Sequence, residues 1–164
     1  PFAPMISWTG VVDGTSKGLP DSPLFLLRQG KINHSPSGSK IAVIFGTNHD
    51  EGCLFAGATP LVIAGVGLPM KSADMTKVAD YVVKHHDHWN ATTAQQILEA
   101  YPSSAYSSED ARLATAMTNF VFTCGTRNAL QALSEAGNPV WPVFCESPRK
   151  AARRTPSIRS RAVA

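Results

Sequence analysis

Ile41-Ala42-Val43-Ile44-Phe45-Gly46-Thr47-Asn48-His49-Asp50-Glu51-Gly52 is the stretch on which the fold of this chain turns. Its first six residues are a continuous apolar run with β-branched members. Such a run predicts a strand buried on both faces, as in a parallel or mixed sheet covered by helices. Thr47 breaks the run, so Asn48, His49, Asp50 and Glu51 are expected in a loop just past the strand's C-terminal end. Open α/β sheets carry binding and catalytic groups there, because the strand fixes the backbone while the loop stays accessible. A carboxylate so placed is able to hold a histidine in one tautomer and to stabilise its cation. Gly52 is expected to let the chain turn sharply beside it. On spacing alone, an Asp-Glu-Gly stretch is first of all an ordinary surface turn.

Outward from this block, residues 1–23 are rich in Pro, Gly and Ser and read as an ordered loop. Pro23 followed by Leu24-Phe25-Leu26-Leu27-Arg28 predicts a short helix, and residues 33–40 a polar connector. Leu61 to Met70 reads as a buried loop or core segment. Ser72-Ala73-Asp74 predicts the start of a helix running to about Trp89, with Met75, Val78, Tyr81 and Val82 along one stripe. Thr92 or Thr93 opens a second helix through Ile97 and Leu98. Ser107 to Asp110 opens the longest, with Leu113, Met117, Phe120 and Cys124 at helical spacing and Gly137 as its stop. Pro139 to Phe144 then reads as a second strand, in which Pro142 is awkward. Strand, helices, strand is an α/β pattern.

The 164 residues hold 15 Lys and Arg against 12 Asp and Glu, a net charge of +3. Six of the basic residues fall within residues 149–164, which contain no acid; residues 1–148 therefore carry nine against twelve, or −3. The body is mildly acidic and the tail, beginning Arg149-Lys150, is basic. A nucleic-acid-binding arm would rest on that tail alone, which lacks interleaved aromatics, so no nucleic-acid partner is expected. No apolar run reaches the roughly 18 residues that a membrane span needs. With 43% hydrophobic and 16% charged residues, the composition is that of one globular core.

Cys53, Cys124 and Cys145 are too few and too widely spaced for a disulfide framework or a zinc motif; three buried thiols, or one bridge and one free thiol, both fit. His85, His86 and His88 invite a metal reading, but Asp87 does not share their face. A solvated helix end accounts for them, so neither metal nor cofactor is expected. Asn90-Ala91-Thr92 is an N-glycosylation sequon, and Asn33-His34-Ser35 a second, weakened by Pro36. The two lean towards a secretory route.

Beyond these readings, the chain carries a specific likeness. Val12-Asp13-Gly14, Leu19-Pro20-Asp21-Ser22-Pro23, Gly30-Lys31 and then Val43 to Gly52 resemble the type-B carboxylesterases and cholinesterases. Asn119 to Cys124, with Arg127 and Ala129 behind, and Pro139-Val140-Trp141 are similar to later landmarks of that family. The resemblance covers about residues 2–145, taken as one C-terminal part of a hydrolase domain; residues 146–164 are expected to be a disordered basic tail replacing family sequence. It implies a partial α/β-hydrolase fold, a mixed and mostly parallel sheet covered by helices, and a triad in the order Ser, acid, His. Glu51 matches the triad acid, and Asp50 a position that is usually structural. The nucleophile elbow of the Gly-x-Ser-x-Gly type is expected upstream of Pro1, and the family histidine downstream, near the chain's end. None of His34, His49, His85, His86 or His88 is assigned to it. Cys124 resembles a family cysteine that pairs near the C-terminus, for which Cys145 is the downstream candidate. The expected activity is hydrolysis of a carboxylic ester by the complete protein, with this stretch alone inactive; the alternative is a catalytically inactive fragment or binding module.

Overall fold

Ser22 and Pro23 start the first helix, α1 (Pro23–Arg28). The Ser22 hydroxyl accepts the Phe25 N–H, and proline fits the first turn because its missing N–H would have had no partner there. The computed structural model describes residues 11–31, 34–86 and 89–145. Upstream of α1, Asp13 closes the turn between the bridged residues Val12 and Leu19. Its carboxylate accepts the Thr15 N–H at 3.0 Å and the Thr15 hydroxyl at 3.1 Å. The Thr15 backbone bond, more than anything else, holds the Asp13 carboxyl below its ordinary range.

The predicted strand is present as β1 (Val43–Asn48), two residues later than its apolar run suggested, so Asn48 closes the strand. It pairs in parallel with β2 (Val140–Cys145), in register from Val43↔Val140 to Asn48↔Cys145. Parallel strands need a long crossover. Here it contains α2 (Gly52–Ala58), α3 (Ser72–Lys84), α4 (Ala91–Ala100), α5 (Glu109–Met117) and α6 (Cys124–Glu135). The architecture is thus α/β, with helices and a small parallel sheet.

Burial of β1 on both faces does not hold. Ile44 is 70% exposed and shares a face with Trp141 and Val143, which are also exposed; on the opposite face Thr47 is buried. With β2 as its one partner among the described residues and α6 packed on the pair, the sheet is only partly covered, since Phe45 and Phe144, on the same face as Thr47, are exposed as well. Pro142 is accommodated by parity. The Pro139 and Cys145 carbonyls accept from β1 at Val43 and His49, so alternation turns the position of Pro142's missing N–H away from β1.

The main core lies among the helices, where Met75 and Val78 of α3 meet Leu113 and Ala114 of α5, with Ala56, Val66 and Met70 around them. Of the 61–70 segment, Val66 and Met70 are buried while Leu61 and Leu68 are exposed. α1 packs on α6, burying Leu26, Leu130 and Leu133. α3 stops at Lys84, short of Trp89; the His85 ring N–H donates to the Tyr81 carbonyl and closes the helix end. The long helix is present but not uniform. α5 runs into a π-helical segment, Thr118–Thr123, and then α6, so Phe120 and Cys124 leave the apolar stripe and are exposed. Gly137, at φ +81°, ends it as expected, with its N–H on the Ser134 carbonyl and that of Asn138 on Leu133.

Glu109 and Arg112 form a buried knot that sequence reading missed. Arg112 donates to Glu109 at 2.9 Å, to the Leu98 carbonyl at 3.1 Å and to the Tyr101 carbonyl; Glu109 also accepts from the hydroxyls of Ser72 and Ser103. The pair thereby ties the start of α3 and the end of α4 to α5. The Ser103 hydroxyl first, and then Arg112, hold the Glu109 carboxyl below its ordinary range against the opposing effect of burial.

Candidate active site

Glu51 is the N-cap residue of α2, three residues past Asn48, which ends β1. One carboxylate oxygen, Oε1, accepts both the Asn48 side-chain amide at 2.6 Å and the Asn48 backbone N–H at 3.2 Å. Oε2 accepts no hydrogen bond among the described residues. Asn48, His49, Glu51, Cys53, Leu54 and Cys145 help to line an open hollow of ≈ 560 Å3, within the range of small-molecule sites. One oxygen is thus fixed by the protein, and the other is left open to a donor.

The glycine after it acts differently from expectation. Gly52 has no positive φ; its role is close approach. A Cβ at this position would stand 2.0 Å from the Ala114 carbonyl oxygen and 2.6 Å from the Thr118 nitrogen. Because α2 lies this close to α5, the Gly52 N–H reaches the Thr118 hydroxyl at 2.8 Å, which itself donates to the Ala114 carbonyl at 2.8 Å. Thr118 opens the π-helical segment, where the wider turn receives α2. The long helix and the glycine together anchor the acid's loop from below.

The histidines do not converge on Glu51. His49, which the resemblance left unassigned, borders the same hollow. Yet it precedes the acid, and its Nδ1 engages Asp50 at 2.8 Å rather than Glu51. His34 sits in a bridge with Lys40, and His86 stacks on Trp89 and meets Phe120 edge-on. His88 lies outside the described residues. No group of three His, Cys, Asp or Glu able to hold a metal ion occurs among the described residues.

Gly14-Thr15-Ser16-Lys17-Gly18 also fits the letters Gly-x-Ser-x-Gly, a match that sequence reading passed over. A nucleophile elbow joins a strand to a helix. This pentapeptide instead forms the exposed turn closed by Asp13, where a Cβ on Gly18 would collide with the Asp13 carboxylate. It is a loop motif and not an elbow.

Cys53, Cys124 and Cys145 are exposed free thiols; neither the Cys124–Cys145 bridge nor burial of all three is found. Asn90 caps α4, while Asn33 and the basic tail lie outside the described residues. No described helix is long and apolar enough to cross a membrane. Two comparisons complete the site. The carboxylesterase family profile matches residues 1–162, continuing past Cys145 into the basic segment. No curated protein sequence matches the chain.

Proposed function

The chain belongs to the carboxylesterase family, and from that membership we propose that Glu51 is the acid of a Ser–acid–His triad in a serine carboxylic ester hydrolase. The observation that carries this reading is the asymmetric hold on Glu51. Asn48 fixes one oxygen with two bonds and leaves Oε2 without one, beside an open hollow at the C-terminal end of a parallel strand. In the complete enzyme a serine attacks the ester carbonyl, a histidine takes its proton, and Glu51 keeps that histidine in the productive tautomer and stabilises the cation. The acyl–alkoxy bond breaks, the histidine gives its proton to the departing alcohol, and water then repeats the cycle on the acyl-enzyme to release the acid and free the serine.

The described residues supply neither the elbow nor a histidine aimed at Glu51, and triad members act as a unit. The isolated chain is therefore proposed to be inactive. The test is a phosphonyl fluoride, which phosphonylates an activated serine with loss of fluoride. The complete gene product should hydrolyse short-chain aryl esters and lose that activity with one label per chain, while the isolated 164 residues take up none. Ester turnover that survives stoichiometric labelling would rule out the serine mechanism.

A further inference from the structure

Asn90 does two jobs with separable atoms. It is exposed, with extended backbone at φ −146° and ψ −176°, and it is the N-cap of the ten-residue α4. Two backbone N–H groups converge on its Oδ1, from Thr92 at 2.9 Å and Thr93 at 3.2 Å, which identifies that atom as the oxygen. An asparagine amide keeps its two donors on the nitrogen, and Nδ2 makes no hydrogen bond among the described residues. The reciprocal arm of the cap comes from the Thr93 hydroxyl, which accepts the Asn90 N–H. Thr92, the sequon threonine, is exposed, and its hydroxyl takes no part in the cap.

We propose that Asn90 is an N-glycan acceptor in which Nδ2 carries the sugar while Oδ1 continues to cap α4. The inference is independent of the role given to Glu51. It requires passage through the secretory lumen, the compartment towards which the sequence leans. In the transfer, Nδ2 attacks the anomeric carbon of an oligosaccharide carried on a polyprenyl diphosphate. The new C–N bond replaces the C–O bond to the diphosphate, which leaves with the electron pair. A base takes the displaced amide proton, and nothing is oxidised or reduced. The primary amide becomes a secondary amide whose carbonyl oxygen is still an acceptor, so the cap persists.

The experiment is translation of the chain behind a cleavable secretory signal in the presence of microsomes, in an Asn33→Gln background. A shift in size that an amidase specific for N-glycans removes is expected. It should vanish in Asn90→Asp, which preserves the capping oxygen, and in Thr92→Ala, which leaves the cap untouched. No shift in the background chain, or a shift that survives Thr92→Ala, overturns the acceptor assignment. For the cap, the secreted complete protein is unfolded in urea. The glycosylated form and Asn90→Asp should share a midpoint, with Asn90→Ala lower; a glycosylated form as low as Asn90→Ala overturns the shared use of the amide.

Discussion

Asn48 donates twice to the same oxygen of Glu51, once from its side chain at 2.6 Å and once from its backbone at 3.2 Å. A carboxylate on a free turn would rotate; this one is clamped to the last residue of the strand. The clamp is what converts a surface acid into a group with a fixed orientation.

Asn48→Ala should therefore impair the complete enzyme through orientation rather than binding. A hydrogen bond to a charged group contributes about 1.5–3 kcal/mol, or roughly 10- to 100-fold in kcat at 1.36 kcal/mol per decade. Steady-state kinetics should show that loss with KM little changed. A rise in KM at constant kcat would place Asn48 in substrate binding instead.

Gly52→Ala should destabilise the fold, because its Cβ would meet backbone atoms of α5 that cannot swing aside. Overpacking of this kind costs about 1–3 kcal/mol or more. Thr118→Val, which leaves the buried Gly52 N–H unpaired, should cost about 1–3 kcal/mol. Urea midpoints check both, and a Gly52→Ala midpoint equal to wild type would contradict the close approach.

Arg112→Ala should be among the most damaging surface-distant changes, at about 3–5 kcal/mol, because it strands a buried carboxylate. The partner predicts an acid response. The Glu109 carboxyl is held below its ordinary value of 4.5 when folded, so its stabilisation is fully present above that value. It is lost as pH falls from there through the lower folded value. Glu109→Gln should flatten that part of the stability–pH curve; an unchanged curve would contradict the assignment.

The strand, the acid beyond it and the parallel return strand were legible because an apolar β-branched run and a polar break are local signals. What the sequence hid was tertiary. Ile44 read as buried, but burial depends on what covers the sheet. Gly52 read as a turn residue, whereas its reason lies at Ala114, 62 positions away in sequence. The Asn48 clamp was hidden because one of its two donors is a backbone N–H, and no residue pattern marks a main-chain donor's target. The Glu109–Arg112 knot was hidden because its other partners, Ser72, Ser103, Leu98 and Tyr101, come from three other segments. Ser16 shows the converse, a motif in letters without the strand and helix that give it meaning.

The central claim is that Glu51 orients the histidine of an esterase triad, and kcat of Glu51→Gln in the complete protein tests it most directly. An amide at this position forces the wrong histidine tautomer, so kcat for a short-chain aryl ester should fall about 10³- to 10⁴-fold, with the urea midpoint and KM nearly unchanged. Turnover within threefold of wild type in a folded Glu51→Gln protein would contradict the account.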